Sequence, residues 1–328
     1  MRYRTIGLLV ILALGVVATP LATSTSAAER TRPFQIGALT DSWGPTPQVV
    51  GLRDGLRALG YREPEQFVIG VRFTQGDITA LPAAARELVQ FGADIIYASD
   101  ANSTKAAQMA TNRIPIVFAG QVDPLGTGLI QSFARPGGNI TGVTHLSHEL
   151  GPKRLQVFQE IIPGLKRVLF PYDAADAYAV AEAREYRDAA RRLGIELVER
   201  VVRTEEEAQT TLAQVRKGEV DGILKPGHPL LNIPGFILET ATQLGLPGMF
   251  DAAFFVEQGG FASYGPDFYE TGRQAARLVD QILKGANPGE IPVEVNPKIE
   301  FVINLKTAKA LELTIAPEVL YQANRLIR

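Results

Sequence analysis

The sequence alternates short apolar runs with helical patterns from residue 34 onwards, and this alternation constrains the fold more than any other feature. Residues 34–40, FQIGALT, have the composition of a buried strand, and Val49, Leu52, Leu56 and Leu59 then recur at the spacing of one helical face. Strands that alternate with helices build a parallel sheet that helices cover on both faces. The chain therefore predicts an α/β fold.

The alternation runs twice, with about five strands in each half, and the halves join within GNITGVTHLSHEL, residues 138–150. The segments after residue 259 have too few strands for a third core, so we expect them to return to the two halves. The prediction is two doubly wound lobes joined by a multi-crossover hinge, with a cleft at the carboxyl ends of both sheets. The N-terminal lobe would comprise residues 34–146 plus 260–294, and the C-terminal lobe residues 147–259 plus 295–328.

The N-terminus has the pattern of an export signal. Arg2 and Arg4 precede an apolar run over residues 6–18, and Ser26 and Ala28 fit the small-x-small cleavage rule. The apolar run is shorter than the ~20 residues that span a membrane. We therefore expect a signal peptide over residues 1–28 and an exported, periplasmic protein, with an uncleaved anchor as the alternative.

Composition excludes several classes of function. The chain has 33 basic and 35 acidic residues, a net charge of -2 that argues against a dedicated nucleic-acid binder. It has no cysteine, which excludes a disulfide framework, a thiol nucleophile and a lipid-anchoring cysteine.

Glycine is densest over residues 118–143, FAGQVDPLGTGLIQSFARPGGNITGV, which raises the question of a nucleotide loop. The spacing differs from G-x-G-x-x-G, and no phosphate-loop motif with Gly-Lys-Ser/Thr occurs. We interpret the glycines as turn residues: Gly128 lets a helix begin, and RPGGN reverses the chain into a strand. Gln121 and Asp123 follow a strand and are expected to line the cleft.

Catalytic and metal-binding patterns are weak. The chain has no G-x-S-x-G motif. His145, His148 and Glu149 lie within one turn and could bind a metal, but they fall at the join of the lobes and lack an H-E-x-x-H pattern. We expect no catalytic residue, no metal and no cofactor.

Several stretches together resemble a known family. GLRDGLRALGY, GADIIYAS, IPIVFAGQVDPLGTGLIQSFARPGGNITGV and VEQGGFASYGPDFYETGRQAA are similar to the ABC-transporter substrate-binding family that includes tryptophan- and tyrosine-binding lipoproteins. The resemblance runs from about Ile36 to Ile315 and implies the type I periplasmic-binding-protein fold. It also implies a monomer that delivers a small molecule to an ABC permease in the inner membrane. One departure is SDANSTKAA, where family members often carry Gly-Thr-Pro after the third strand.

The first lobe offers two candidate ligand-binding loops at strand ends. The only tryptophan of the chain could stack on a ligand, or it could pack as a rim residue on its own lobe. Asn102 or Ser103 could cap the next helix, whose N-terminus could seat a carboxylate; capping without a ligand fits equally well. The resemblance to amino-acid binders favours the carboxylate seat. The candidates are Thr40, Asp41, Ser42, Trp43, Asp100, Asn102 and Ser103.

The second lobe offers aromatic and acidic candidates. Tyr172, Phe250 and Phe254 could wall a pocket, or they could belong to the core. Asp173 and Asp251 could receive an ammonium group, or they could cap helices. The resemblance favours Asp251, because amino-acid binders of this shape usually place an acid in the second lobe. His228 is the last candidate.

The sequence thus predicts the solute-binding component of an importer, with an amino acid of aromatic or branched side chain as ligand. An exported sensor subunit for a membrane signalling partner is the first alternative. An exported hydrolase is the second, although it would need a nucleophile or metal group that we do not find. A sugar-responsive repressor shares this core, but it would need a DNA-binding motif where this chain has a signal peptide.

Overall fold

A computed structural model describes residues 32–44, 46–121, 123–145, 150–174, 176–227, 231 and 236–328. Residues 33–328 form one compact unit. The expected signal peptide lies outside the described residues. Among the described residues, no helix combines the length and apolarity that a membrane crossing requires.

The first sheet has six strands, all of them parallel. Its strand order is β11-β5-β4-β3-β1-β2, so the strand furthest along the chain lies at one edge. The strands are β1 (Phe34–Thr40), β2 (Phe67–Phe73), β3 (Ile95–Ala98), β4 (Ile116–Gln121), β5 (Ile140–His145) and β11 (Glu294–Asn296). The helices of this lobe are α1 (Pro47–Ala58), α2 (Leu81–Gln90), α3 (Ala101–Ala110) and α9 (Phe268–Leu283).

The second sheet has seven strands, in the order β13-β12-β10-β9-β8-β6-β7. The pair β10 and β12 is antiparallel, and the other pairs are parallel. The strands are β6 (Arg167–Asp173), β7 (Glu196–Val202), β8 (Gly222–Leu224), β9 (Gly248–Phe250), β10 (Ala262–Pro266), β12 (Ile299–Asn304) and β13 (Arg325–Ile327). The helices are α4 (Leu150–Ile161), α5 (Ala177–Leu193), α6 (Glu205–Ala213), α7 (Phe236–Leu244), α8 (Ala253–Glu257), α10 (Leu305–Ala310) and α11 (Pro317–Gln322).

Each sheet separates two apolar clusters, as a doubly wound fold requires. In the first lobe, one cluster joins α1 and α9 to the sheet, and another lies beneath α2 and α3. In the second lobe, one cluster contains side chains of α4 and α5, and another contains side chains of α6, α7 and α8. The predicted α/β class with two parallel-dominated sheets is therefore confirmed.

Strand β10 differs from the expected boundaries. Residues 260–294 were expected in the first lobe, but β10 pairs with β9 and β12 in the second sheet. The five-residue helix α8 returns the chain to the sheet that it has just left. The apolar pattern of a five-residue strand does not indicate which sheet receives it, so this placement depends on contacts far along the chain.

The chain therefore passes between the lobes three times: from β5 to α4, from β10 to α9 and from β11 to β12. Hydrogen bonds link the second and third crossings. The buried side chain of Asn296 donates from Nδ2 to the carbonyl of Asp267 and to Oγ1 of Thr271, both at 2.9 Å. The backbone N–H of Asp267 in turn donates to the carbonyl of Lys298 at 3.0 Å. The two crossings are thus held together as one linker.

Glycines bring α1 and α9 into close contact. A Cβ at Gly51 would lie 2.0 Å from the carbonyl oxygen of Tyr269, and a Cβ at Gly272 would lie 2.0 Å from that of Gln48. At Gly55, a Cβ would lie 2.6 Å from Cβ of Ala276. Backbones can approach this closely only where no side chain intervenes. This close contact with α1 fixes α9 to the first lobe, directly after the chain has passed there from the second lobe.

The glycine-rich segment 118–143 forms turns. Gly137 and Gly138 have positive φ angles of 80° and 58°, and they reverse the chain into β5 as predicted. The expectation of a helix after Gly128 is wrong, because that residue ends a turn in which Asp123 binds the backbone N–H of Gly126 at 2.7 Å.

Candidate functional site

The carboxyl end of the first sheet holds a pair of acids, of which Asp41 is buried and Asp100 is half-buried. Asp41 follows β1, and Asp100 follows β3 beside it. The backbone N–H of Asp41 donates to Oδ2 of Asp100 at 3.1 Å, and Nδ2 of Asn102 donates to Oδ2 of Asp41 at 3.2 Å. Thr40, buried at the end of β1, also hydrogen-bonds Asp100. The structure thus brings Thr40, Asp41, Asp100 and Asn102 together.

The N-terminus of α3 is capped differently from the expectation. Asp100, rather than Asn102 or Ser103, is the N-cap residue, and its Oδ1 accepts from the backbone N–H of Ser103 at 2.6 Å. Ser103 completes a capping box by donating from its hydroxyl to the Asp100 carbonyl at 3.1 Å and accepting from the Asp100 N–H at 3.2 Å. The end of the helix where we expected a ligand carboxylate is therefore already occupied by an acid of the protein.

Burial governs the protonation of this pair. Burial, and then the charge of Asp100, raise the pKa of Asp41 to about 7, while the hydrogen bond from Asn102 acts in the opposite direction. Burial also raises the pKa of Asp100, against hydrogen bonds from Ser103, Asp41 and Thr40 that favour its charged form. Two carboxylates in a desolvated site cannot both ionise without a cost.

The loop after β1 is only partly engaged. Ser42 is satisfied within the loop, since its hydroxyl hydrogen-bonds the carbonyl of Gly44 and its N–H donates to Oγ1 of Thr40 at 3.1 Å. Trp43 is half-buried, and its indole Nε1 is buried with no hydrogen-bond partner among the described residues. Such a donor is costly when unsatisfied. A rim residue that only packs its apolar surface would not bury its N–H group without a partner, so Trp43 does not fit that alternative.

The loop after β4 does not contribute as expected. Gln121 is the last residue of β4, and its side chain lies outside the described part of the structure. Asp123 is exposed and satisfied by its own turn, so no described contact joins it to Asp41 or Asp100. Gln48 was not predicted, although its Nε2 donates to the Ser99 carbonyl at 3.4 Å at this end of the sheet.

The second lobe places Asp251 at the end of β9 with one oxygen fixed. Nζ of Lys225, which follows β8, lies 2.9 Å from Oδ1 of Asp251. Lys225 is fully buried; it also donates to the carbonyl of Pro226 at 3.1 Å and lies 4.5 Å from the ring centroid of Phe255. Burial lowers the pKa of Lys225, and the charge of Asp251 opposes this effect.

The second oxygen of Asp251 is available. Oδ2 makes no hydrogen bond to any described residue, and the side chain of Asp251 is 14% exposed to solvent. Gly227 leaves space beside it, because a Cβ there would lie 3.2 Å from Oδ2. Asp251 is thus an acceptor that Lys225 holds in position and whose Oδ2 has no hydrogen-bond partner among the described residues.

A buried network that the sequence did not predict lies in the same lobe. Arg154 of α4 donates to the Tyr264 carbonyl at 2.7 Å and to the Tyr186 hydroxyl at 2.5 Å, and lies 3.7 Å from Glu182 of α5. Burial raises the pKa of Glu182 to about 7, although Arg154 opposes this shift. Lysine and arginine are rarely fully buried, so the burial of Lys225 and Arg154 was not predicted from the sequence. The available signal was the position of Lys225 directly after a strand.

Two predicted wall residues are wrong. Tyr172 packs in the core of the second lobe, stacks on Phe170 with centroids 5.8 Å apart, and binds Arg187 through its hydroxyl at 3.0 Å. Phe250 is fully buried against Phe255, also in the core. Both side chains are therefore committed to packing.

The remaining second-lobe candidates differ in their exposure to solvent. Phe254 is 46% exposed on α8, and Asp173 is buried at the end of β6. His228 lies outside the described residues, as do His148 and Glu149. Among the residues that the structure does describe, no group of three or more His, Asp or Glu side chains is arranged to hold a metal ion.

Comparisons with known proteins agree with this architecture. The sequence model of the family described as "ABC transporter substrate binding protein" matches residues 17–327. A tyrosine-binding protein of Clostridioides difficile (strain R20291) is 27% identical over 266 residues, covering 80% of this chain and 76% of that protein.

Two solved structures have the same fold. A conserved domain protein from Vibrio cholerae O1 biovar eltor is 30% identical with a TM-score of 0.77, and it covers 90% of this chain and 100% of its own. An ABC domain from Streptococcus pneumonia, in complex with L-Trp, is 26% identical with the same TM-score and coverage. The fold is that of the two-lobed type I periplasmic binding proteins. Because the family match spans nearly the whole chain, this protein belongs to the ABC transporter substrate-binding protein family, whose members bind small molecules rather than convert them.

Proposed function

We propose that this protein is the periplasmic solute-binding component of an ABC importer and that it captures an amino acid between its lobes. The bound form is then presented to a permease in the inner membrane. The protein is exported with cleavage after about Ala28, works as a monomer, and makes or breaks no bond in its ligand.

The observation that carries the amino-acid proposal is the setting of Asp251. Lys225 fixes one carboxylate oxygen, and the other is open beside Gly227 at the end of β9. A carboxylate held in this way accepts a charge-assisted hydrogen bond from an ammonium group without further ordering. The binding of tyrosine and L-Trp by the relatives supports an α-ammonium group as the partner of Asp251.

The linker supports capture by closure. Three crossings between the lobes, two of them joined through Asn296, allow rotation about one linker while each lobe stays intact. A ligand that contacts both lobes only when they are close together shifts the population towards the closed form.

A thermal-shift screen against amino acids, sugars, nucleosides and carboxylates tests the proposal. A ligand that binds only the native state adds about 2.7 kcal/mol of stability at a hundredfold excess over Kd. We expect at least one amino acid to raise Tm and Asp251→Ala to abolish the shift. Asp188→Ala, on the exposed face of α5, serves as the control. A response confined to sugars or nucleosides would contradict the amino-acid proposal, and conversion of any ligand would contradict the binding role.

A further inference from the structure

Among the described residues, acids outnumber bases at the carboxyl ends of the strands. Acids follow or end five strands of the two sheets, and Lys225 is ion-paired with one of them, Asp251. The one cation that directly follows β1, β3, β4, β6, β8 or β9 among the described residues is Lys225, and it is fully buried. The acids are Asp41, Asp100, Asp123, Asp173 and Asp251.

In the first lobe, an acid of the protein takes part of the usual seat for an anion. A helix N-terminus attracts a carboxylate through free N–H groups and its dipole. At α3, Asp100 takes the N–H of Ser103 with its side chain and that of Thr104 with its carbonyl at 3.1 Å. Asp41 lies against the same acid and adds a second carboxylate. A ligand carboxylate here would meet two like charges in a desolvated site.

In the second lobe, both buried cations are already engaged. The ammonium of Lys225 contacts Asp251, the Pro226 carbonyl and the Phe255 ring. The guanidinium of Arg154, which is 3% exposed, contacts Tyr264, Tyr186 and Glu182. Neither group is accessible to a ligand anion, whereas Oδ2 of Asp251 has no hydrogen-bond partner in the part of the chain that the structure describes.

Two further polar groups at the first-lobe strand ends lack a partner. The hydroxyl of Ser99, which is 3% exposed and adjoins Asp100, makes no hydrogen bond among the described residues. The indole N–H of Trp43, two residues from Asp41, is unsatisfied as well. Buried groups of this kind point to a missing hydrogen-bonding partner. An indole ring can also attract a cation through a cation–π interaction.

We propose that the ligand is an organic cation with an ammonium or guanidinium group beyond any α-amino group, and that the Asp41 and Asp100 pair receives this charge. The proposal rests on the proposed function, because it names the class of ligand for the same site. It departs from the aromatic or branched side chain that the sequence suggested. The proximity of Asp41 and Asp100 supports it, because a cation between two buried carboxylates offsets both their repulsion and their desolvation.

Calorimetric titration with a matched ligand pair tests this inference. L-arginine carries a guanidinium group, whereas L-citrulline has a neutral urea of nearly the same shape. Agmatine and putrescine lack the carboxylate, and L-tryptophan and L-tyrosine lack the second cation. Protein freed of bound ligand in urea and refolded is titrated with each compound. We expect arginine, agmatine or putrescine to bind, and citrulline to bind at least a hundredfold more weakly than arginine if arginine is the ligand.

Variants identify the seat. Asp41→Asn is expected to weaken binding of the cation at least tenfold, while Asp188→Asn on the exposed face of α5 leaves it unchanged. If Asp41→Asn does not fold, as judged by circular dichroism, the comparison of cationic and neutral ligands with the unaltered protein still decides. Binding of tryptophan or tyrosine without any cation would overturn this inference and leave the proposed function intact. Binding of putrescine but no amino acid would support the cation and overturn the amino-acid proposal. A response to sugars alone would overturn both.

Discussion

Replacing Gly272 by alanine tests whether the close crossing of α1 and α9 stabilises the fold. On helix propensity alone, the change should stabilise α9 by ~1 kcal/mol. The structure predicts the opposite sign. The new Cβ would lie 2.0 Å from the Gln48 carbonyl oxygen and 2.8 Å from the backbone N of Leu52, and contacts below 3.0 Å are essentially never seen.

The magnitude follows from the required movement. The obstacle is backbone, so the two helices must separate by ~1 Å, and a gap of this size forfeits a quarter to a half of each affected contact. Overpacking of a close-packed site costs about 1–3 kcal/mol, and rigid backbone places this site at the upper end. After the propensity gain is subtracted, we expect a net destabilisation of about 2 kcal/mol and, for a folded unit of this length, a fall in Tm of about 3 °C.

Urea unfolding followed by circular dichroism measures the effect. Gly70→Ala is the matched control, because Gly70 is exposed on β2 and its Cβ would meet no atom within 4 Å. The control should change the free energy of unfolding by less than ~0.5 kcal/mol. If Gly272→Ala were as stable as the unaltered protein or more stable, the crossing would not be as tight as described and this reasoning would be refuted.

Three further predictions follow from the buried polar groups. Lys225→Met leaves Asp251 without its partner and should lower the free energy of unfolding by ~2 kcal/mol. This loss is smaller than that from breaking a fully buried ion pair, because Asp251 is partly exposed, and an unchanged urea midpoint would contradict it. The folded-state pKa of Asp41 is raised to about 7, so its contribution to stability is present below pH ~4 and is lost as pH rises to ~7. Asp41→Asn should reduce this pH dependence of unfolding, with the part due to Asp100 remaining, and an unchanged slope would count against the raised pKa of Asp41. Asn296→Ala removes both bonds to the neighbouring crossing and should cost about 1–3 kcal/mol, measured by thermal unfolding, whereas no loss would mean that the crossings are not coupled through this residue.

The local parts of the fold could be predicted from the sequence. Val49, Leu52 and Leu56 lie buried on one face of α1, because helical periodicity is encoded within a few residues. The sheet that receives β10 could not be predicted, since it depends on pairing with β9 and β12. The sequence predicted that the chain crosses between the lobes several times. It did not predict the hydrogen bonds of Asn296 between two of these crossings, because they join residues far apart in the sequence.

The sequence predicts which candidate residues lie at strand ends, but it does not predict side-chain direction. Asp41 and Asp251 directly follow strands, as expected, and their role in binding stays a prediction. Tyr172 was misplaced because nearly all of β6 is buried, so its pattern does not show which side faces the core. The cap of α3 was wrong by two residues at the least, since Asp100, Asn102 and Ser103 all have side chains that can cap a helix.

The late position of α9 in the chain has a consequence for biosynthesis. Its apolar face, with Ala275, Ala276 and Val279, covers a first-lobe sheet whose initial strand was made more than two hundred residues earlier. Until that helix and β11 emerge, the nascent first lobe exposes apolar surface and an unpaired strand edge, both of which promote aggregation. We therefore expect that the first lobe does not fold stably until β11 has been made, when 32 of the 328 residues remain (328 − 296), and that the growing chain needs a holding chaperone until then.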